Sequence, residues 1–488
     1  MTEIKNVTFC DFFKVSPRVL EKHGAFNISL VSDLPLFIDP FLLFNSKNDE
    51  YRGLHDQMIQ YLRFLRDQST QSLDAGLVQA WYSFPEVRQN WLGFSTRRNR
   101  GRGLGKDFAR ALNGNLHSIF RDFGNEKVTK ESHLEKLCLI APGVGKDKIS
   151  DFTTNLIKGY LLDFTQKFAL ASIDARLRKR VAVSKVRFNY DTRSWMSEVY
   201  ELPFYQGSYV ILTPKAILTK DETWINKIDL IANFDDIPPS IPNEQLRSQI
   251  NSYFLSILPK EPTQKDQAAA VTRTIVRFPE IIDYYIRYKE DHADRATSIS
   301  IEKVAESEEY YAVQFRSLVD LLAFQTAFYK VSGVTYQEAY QRVMYFKDVI
   351  ENKRGYRRFY FHGEPIEREE DLHILYRMTW FASVSDVTTE ANDGRGPVDF
   401  KISMGSKDKT LVEFKLAKNS QLKRNLQKQV EVYKRASDAQ SAIKVIIYFT
   451  RDELKRVERI LKELDLLEDK NIILVDARRD NKPSGSKA

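Results

Sequence analysis

The stretch PVDFKISMGSKDKTLVEFKL occupies residues 397–416 and alternates apolar and polar side chains on either side of a turn-rich centre at 404–409. Alternation with a period of two residues is typical of a β-strand that buries one face. Two such strands separated by a short turn form a β-hairpin. The sequence therefore predicts a hairpin near the C-terminal end of the chain.

The register of this hairpin decides which side chains meet. If the turn is centred on Ser406, Phe400 pairs with Val412 and Asp399 lies directly opposite Glu413. Side chains alternate between the two faces of a strand, so one face is predicted to be apolar and to pack on a core. Its members are Val398, Phe400, Ile402, Val412, Phe414 and Leu416.

The opposite face carries Asp399, Glu413 and Lys415, a set that suits metal-dependent hydrolysis. Two carboxylates that face each other across a hairpin repel, at a cost of about 0.2–1 kcal/mol. A divalent cation between them turns this cost into a binding site, and carboxylate oxygens suit Mg²⁺. Lys415 is placed to orient a water or to stabilise charge on a phosphate in the transition state. Hydrolysis of a phosphodiester bond is the natural chemistry of this set.

The segments around these residues resemble the motifs of the PD-(D/E)XK nuclease superfamily, which includes restriction endonucleases, Holliday junction resolvases and RecB-type nucleases. The resemblance rests on GRGPVD at 394–399, on EFK at 413–415, and on Gln429 and Tyr433 in a predicted helix at 422–436. It covers about 365–480, roughly a quarter of the chain, and implies a mixed central sheet flanked by helices with the hairpin at the active site.

The resemblance also implies roles for individual residues. Asp399 and Glu413 would bind Mg²⁺ or Mn²⁺, Lys415 would be the catalytic lysine, and Gln429 would belong to the catalytic set. Many members of the superfamily add a glutamate from the helix before the hairpin. Glu370 is the candidate here, and Glu367, Glu369 and Glu390 are the alternatives.

Nucleic-acid contacts are expected from basic and aromatic residues near the motifs and from a Gly- and Arg-rich loop at 96–106. Near the motifs the candidates are Arg395, Lys418 and Tyr433. In the loop, which could equally be a surface loop with no ligand, they are Arg97, Arg98, Arg100, Arg102 and Lys106. Such side chains contact phosphates without reading the base sequence.

The distribution of charge favours a polyanionic partner. The chain has a formal net charge of +8, and from Asp393 onward 22 Lys and Arg stand against 15 Asp and Glu, an excess of 7. A basic domain attracts nucleic acid through phosphate contacts and counterion release. The alternative is a solvated surface that happens to be lysine-rich.

A chain of 488 residues is too long for one hydrophobic core. We predict a multidomain protein in which a largely helical α+β N-terminal region precedes a C-terminal α/β domain of the PD-(D/E)XK, restriction endonuclease-like type with a mixed central sheet. The expected divisions are a recognition or regulatory region at 1–240, a helical region and possible oligomer interface at 241–358, the nuclease domain at 359–480 and a disordered tail at 481–488.

Composition and termini set the remaining expectations. We see no long apolar run, the first residues lack the layout of a signal peptide, and Cys10 and Cys138 show neither zinc-ligand nor disulfide spacing. A cytoplasmic location and buried thiols are therefore expected.

The sequence as a whole predicts a Mg²⁺-dependent, or Mn²⁺-dependent, deoxyribonuclease in anti-phage defence or restriction, a homo-oligomer with an unidentified regulator. The defence role rests on analogy with the superfamily. The sequence leaves open DNA versus RNA and endonucleolytic versus exonucleolytic cleavage. The alternative is a catalytically silent nucleic-acid-binding or regulatory scaffold protein that keeps the nuclease fold.

Overall fold

The computed structural model describes the following residues: 8–31, 33–69, 72–93, 120, 123–140, 144–220, 222–259, 261–328, 334–361, 363–378, 380, 385–392, 397–404, 408–427 and 441–482. The predicted loop at 96–106 lies outside these residues, as do most of the predicted helix at 422–436 and residues 483–488 of the predicted tail.

The N-terminal region is built on one long helix and several short ones. The helices are α1 Phe9–Phe13, α2 Pro17–His23, α3 Pro40–Phe44, α4 Asp49–Gln68, α5 Ala75–Tyr82, α6 Lys136–Ile140, α7 Lys146–Leu156 and α8 Lys158–Ser172. Helix α4 begins where the Asn48 side chain accepts a hydrogen bond from the backbone N–H of Glu50. Its apolar residues recur at helical spacing, and Met58 and Leu62 lie in the core.

A long twisted hairpin lies within this region. Strands β2 Arg178–Asn189 and β3 Ser194–Tyr205 pair antiparallel, and β4 Ser208–Tyr209 continues the sheet. Strand β1 Leu36–Ile38 pairs with β5 Leu218–Lys220 in a separate sheet. Helix α8 packs on β3, so this hairpin covers the helical part of the N-terminal region.

The middle of the chain, from Lys227 to Asn352, is mostly helical among the described residues. Its helices are α9 Lys227–Ala232, α10 Glu244–Ile257, α11 Gln264–Arg277, α12 Ile281–Asp291, α13 Ala293–Glu308, α14 Phe315–Gln325 and α15 Thr335–Asn352, with a π-helical turn at Glu309–Gln314. Short 3-10 segments lie at Arg88–Asn90, Ala175–Leu177, Lys215–Ile217, Phe234–Asp236, Pro238–Ser240 and Gly355–Phe359.

The C-terminal region contains a five-stranded mixed sheet. Its elements are β6 Tyr360–Phe361, β7 Glu364–Pro365, α16 Glu369–Met378, β8 Asp386–Asn392, β9 Pro397–Met404, β10 Asp408–Leu416, β11 Ser441–Tyr448, α17 Arg451–Glu463 and β12 Ile472–Asp476, with helical backbone at 422–427 before β11. The strand order is β12-β11-β10-β9-β8. Strand β9 runs antiparallel to both of its neighbours, β8 and β10, whereas β10, β11 and β12 are parallel. The predicted mixed central sheet is therefore present.

The predicted hairpin forms in the predicted register. Strand β9 pairs with β10 from Phe400–Val412 to Met404–Asp408, which places the turn centre at Ser406. Phe400, Ile402, Val412, Phe414 and Leu416 are buried on the face that packs against α15 and α16. The opposite face of the sheet packs against α17 through a second cluster that includes Ile446 and Val457.

The buried clusters cross the domain boundaries predicted at 240/241 and 358/359. One cluster joins Phe9 and Leu212 to Phe346 and Phe400, and a second runs from Phe41 to Ala296. Helix α15 packs on the C-terminal sheet, and the Thr335 hydroxyl donates to Asp408 on β10 over 2.6 Å. The unit that packs around the sheet thus begins before residue 359.

Two smaller expectations concern burial and membranes. Cys10 and Cys138 are free thiols and both are buried, as predicted. Among the described helices, none combines the length and the apolar character that crossing a membrane requires.

Candidate active site

The antiparallel pairing brings the residues of the predicted catalytic face to one end of the hairpin. Asp399 lies near the start of β9, whereas Glu413 and Lys415 lie near the end of β10. Because these ends are adjacent, the Asp399 carboxylate accepts a 2.7 Å hydrogen bond from the backbone N–H of Phe414. Lys415 Nζ lies 3.4 Å from the same oxygen, Asp399 Oδ2. The structure therefore brings Asp399 and Lys415 into contact.

Asp399 is held as an anion by its neighbours. The ring of His373 on α16 places Nε2 3.1 Å from Asp399 Oδ2. Burial alone would raise the pKa of Asp399, but the hydrogen bond and positive charge of His373, together with the Lys415 charge, outweigh it and lower the pKa below 3.8. Among the described residues, the contacts of this carboxylate converge on Oδ2 and none reaches Oδ1.

Glu369 supplies a further carboxylate, from the first residue of α16. Its Oε2 lies 3.3 Å from Lys415 Nζ, and its Oε1 accepts hydrogen bonds from the backbone N–H of Leu416 and from the Asn419 side chain. Glu369 was one of the alternatives to Glu370. The side chain of Glu370 lies outside the described residues.

For the other two candidate glutamates, Glu367 and Glu390, the structure shows no contact with Lys415 among the described residues. Glu367 is exposed and precedes α16. Glu390 belongs to strand β8, and its side chain is outside the described residues. Of the four candidates, Glu369 is the one for which the structure shows contact with the predicted catalytic lysine.

His373 is a site residue that the sequence interpretation missed. It follows Glu369 by four residues on α16, so the two side chains share one face of the helix. Burial would lower the pKa of His373, but its hydrogen bond to Asp399 and the charge of that carboxylate raise it above 6.5. The Glu-x-x-x-His spacing before the hairpin is the signal that could have identified both residues.

Lys415 lies between two carboxylates, which fixes its charge. Burial would lower the pKa of Lys415, but the charges of Asp399, Glu369 and Glu413 raise it above 10.5. The side chains of Asp399, Lys415, Glu369 and His373 are only 14–21% exposed, so water screens these charges weakly. The four groups form an alternating network of two anions and two cations, with His373 charged when protonated.

Glu413 is buried next to a second cation that the sequence interpretation missed. In the parallel pairing of β10 with β11, Glu413 lies beside Lys444, and both are buried. Burial lowers the pKa of Lys444, although the charge of Glu413 opposes this. Lys444 is the first residue of the apolar run KVIIYF at 444–449, and the sequence does not indicate which acidic residue lies beside it.

The site offers carboxylate oxygens to a metal, but its acids are not gathered around one point. Among the described residues, the triad His55, Asp56 and Glu131 is the one whose ligand atoms all lie within 4.8 Å of one another, and it is in the N-terminal region. At the hairpin, the Lys415 ammonium separates Asp399 from Glu369. A cation held by Asp399 and Glu413 would therefore require their side chains to turn towards each other.

The predicted nucleic-acid contacts are mostly outside the described residues. These are Arg395, Tyr433, Arg97, Arg98, Arg100, Arg102 and Lys106, and Gln429 of the predicted catalytic set lies outside them too. Lys418 is described: it is exposed and follows β10, three residues after Lys415. It is therefore the one predicted contact that the structure places beside the hairpin end.

Comparison with known families gives two matches, both to domains of unknown function. Residues 14–226 match the domain of unknown function DUF8370, and residues 335–451 match the domain of unknown function DUF8371. The second match begins at the first residue of α15 and contains the whole candidate site from Glu369 to Lys444. No curated protein and no solved structure matches the chain.

Proposed function

We propose that this protein is a metal-dependent nuclease that hydrolyses phosphodiester bonds, with DNA as its substrate. The observation that carries the proposal is the hairpin end at which Asp399 and Lys415 are in contact and Glu413 lies two residues from Lys415 on the same face. Glu369 joins them from the helix before the hairpin. A buried set of acids around one lysine, with perturbed pKa values, is a candidate for a catalytic site.

The architecture around the site supports the same proposal. The PD-(D/E)XK resemblance implies a mixed sheet flanked by helices, with the catalytic hairpin inside it. The described sheet is mixed, and its two faces pack against α15 and α16 on one side and α17 on the other. The hairpin β9–β10 occupies interior positions of that sheet.

The donor set suits a hard divalent cation. Asp399 and Glu413 would hold Mg²⁺ or Mn²⁺ through carboxylate oxygens, with water and phosphate oxygens completing the shell. Bound there, the cation would polarise the scissile phosphate and lower the pKa of a bound water. Among the described residues, the contacts of Asp399 are all made by Oδ2, so Oδ1 could bind such a cation once the two carboxylates turn towards each other.

The remaining side chains have roles that follow from their contacts. Lys415 carries its positive charge into a weakly screened site, where it would stabilise the charge that develops on the phosphate. Glu369 positions Lys415 and also fixes the end of β10 through the Leu416 amide. His373 holds the Asp399 carboxylate in place.

A cleavage assay tests the proposal. Plasmid, linear duplex, single-stranded DNA and RNA are incubated with Mg²⁺, Mn²⁺ or EDTA and with wild type, Asp399→Ala or Lys415→Ala. Asp452→Ala and Lys455→Ala are matched controls, because both residues are exposed on α17 and lie 3.8 Å apart, away from the hairpin contacts. We expect metal-dependent cutting of DNA that both site variants lose and both controls keep. Equal cutting by wild type and the site variants would reject the assignment.

A second candidate function is a nucleic-acid-binding or scaffold protein without catalysis. One observation favours it: the charges of Asp399, Glu369, Lys415 and His373 compensate one another through direct contacts. In that case wild type and Lys415→Ala would both bind DNA, with a steep salt dependence, and neither would cleave it.

A further inference from the structure

The N-terminal region contains buried ligand atoms that lack hydrogen-bond partners. Among the described residues, no hydrogen-bond partner reaches His133 Nδ1, either carboxylate oxygen of Glu135 or His55 Nε2, and the three side chains are at most 2% exposed. Buried polar atoms without partners are costly, because burial removes the water that would solvate them. His133 Nδ1 and a Glu135 oxygen lie 4.0 Å apart, too far for a hydrogen bond but within the span of two ligands of one ion.

The outer nitrogen of each histidine is already held by a carboxylate. His133 Nε2 lies 2.9 Å from Glu290 Oε1, and Glu290 is itself fixed by the backbone N–H groups of Lys130 and Glu131. His55 Nδ1 faces the Glu131 carboxylate at 3.5 Å. A metal-binding histidine usually donates its second ring N–H to a carboxylate in this way, which leaves the other nitrogen to bind the metal.

The electrostatics of this region also favour a cation. His133 Nε2 lies 2.9 Å from the Glu290 carboxylate, to which it can donate its proton, so Nδ1 of the neutral ring would carry the lone pair. Glu135 and Asp39 are two acidic residues that are both fully buried. Lys289 is the cation that acts on Asp39, but its Nζ is already paired with Asp229 at 2.8 Å.

We propose that His133 Nδ1, Glu135 and His55 Nε2 form a binding site for one divalent transition-metal ion, with Zn²⁺ as the best-suited ion for two imidazoles and a carboxylate. The ring centroids of His55 and His133 are 5.9 Å apart. Two imidazoles on one ion, each with a metal–nitrogen distance of about 2.1 Å, place their centroids about 5–6 Å apart. The three ligand atoms do not all lie within 4.8 Å of one another, so the side chains would have to rotate to close around the ion.

The alternative position is the outer edge of His55, where Asp56 and Glu131 lie close to it. There the carboxylates are 74% and 52% exposed and the His55 nitrogen already has Glu131 as a partner. Binding at that edge would leave His133 Nδ1 and Glu135 without partners. The inner position satisfies all three residues, so the proposal is restricted to it.

The test measures metal bound to the full chain. Wild type, Glu135→Gln, His133→Gln and His55→Gln are stripped with a chelator and titrated with Zn²⁺ in competition with a chromogenic indicator. Asp56→Asn is the control for the outer edge, and Asp399→Asn is the control for the hairpin site. We expect one tight Zn²⁺ per chain in wild type and both controls, and affinity at least about 100-fold weaker in the three inner variants.

A second measurement covers the case in which an inner variant fails to fold. The melting temperature of the chelator-stripped wild type should rise on addition of Zn²⁺, since an ion that binds only the folded state stabilises it. Co²⁺ in place of Zn²⁺ should give visible absorption of a nitrogen- and oxygen-ligated site.

Absence of tight Zn²⁺ binding by wild type would overturn the proposal, as would loss of binding in Asp56→Asn with retention in Glu135→Gln. The Asp399→Asn variant changes the hairpin site and leaves the inner site intact. Zn²⁺ binding by this variant therefore tests the metal-site proposal independently of the nuclease proposal.

Discussion

Replacement of Asp399 by Asn should destabilise the metal-free protein, although removal of an acid from an acidic metal site often has the opposite effect. Two facing carboxylates without counter-charges would repel each other, and Asp399→Asn would then remove this repulsion and stabilise the protein. Here Asp399 accepts hydrogen bonds from the Phe414 amide and from two cationic side chains. The variant leaves Lys415 and protonated His373 close together without that anion.

The size of the effect follows from the burial of the site. Hydrogen bonds to charged groups contribute about 1.5–3 kcal/mol, and removing one partner of a fully buried pair costs about 3–5 kcal/mol. Asp399 and Lys415 are 14% and 16% exposed, so screening reduces the upper figure. We expect Asp399→Asn to lower the free energy of unfolding by about 2–4 kcal/mol at pH 6.

The effect should depend on pH in a defined direction. The pKa of His373 is raised in the folded state, so its contribution to stability is complete below 6.5 and is lost as the pH rises through the folded value. The difference between wild type and Asp399→Asn should therefore be smaller at pH 8 than at pH 6. Urea denaturation in EDTA, followed by circular dichroism, measures it. An Asp399→Asn protein as stable as wild type at pH 6 would refute the reasoning.

Three further predictions concern separate parts of the chain. Lys415→Met should reduce cleavage at least about 100-fold and retain DNA binding. Single-turnover kinetics measure cleavage and a filter-binding assay measures affinity, and an equal fall in the two would contradict the prediction. Glu338→Gln should lower the free energy of unfolding by about 3–5 kcal/mol because Glu338 and Arg342 form a buried ion pair, and a loss below about 1 kcal/mol would show that the pair contributes little. Burial raises the pKa of Asp39 to about 6, so between about pH 4 and pH 6 the carboxyl ionises more readily in the unfolded chain than in the folded one. Metal-free protein should therefore lose stability as the pH rises through this range. The same denaturation series on Asp39→Asn should show a flatter dependence of stability on pH.

The hairpin could be predicted in detail because its determinants are local. Alternation fixes which face of each strand is apolar, and the turn position fixes the register. The pairing of Phe400 with Val412 follows from these two facts alone, and they also predict that Asp399 and Lys415 share one face of the hairpin. Strands β11 and β12 and helix α17 also have local determinants, since their apolar runs and helical spacing are continuous in the sequence.

The missed features depend on residues that are distant in sequence. His373 meets Asp399, and Lys444 meets Glu413, only after helix α16 and strand β11 pack beside the hairpin. Strand β8 is short, lies at the edge of the sheet and has a polar sequence, DVTTEAN, so its apolar signal is weak. The long hairpin β2–β3 was missed because most of its side chains are at least partly exposed.

The predicted boundary at 358/359 illustrates the same limit. Helix α15 has the composition of an ordinary amphipathic helix, and nothing in its sequence indicates which surface it covers. The structure shows that it packs on the C-terminal sheet, where Thr335 hydrogen-bonds with both Asp408 and Thr410. Periodicity predicts that a helix has an apolar face, but the partner of that face is decided by tertiary packing.

The most direct test of the central claim is to locate the metal at the hairpin. Crystals grown with Mn²⁺ and a short DNA duplex that resists cleavage would be measured at a wavelength that reveals manganese by its anomalous scattering. The account predicts an anomalous peak about 2.0–2.3 Å from carboxylate oxygens of Asp399 and Glu413, next to a DNA phosphate and within reach of Lys415. DNA bound at the hairpin without such a peak, or manganese bound only elsewhere in the protein, would contradict it.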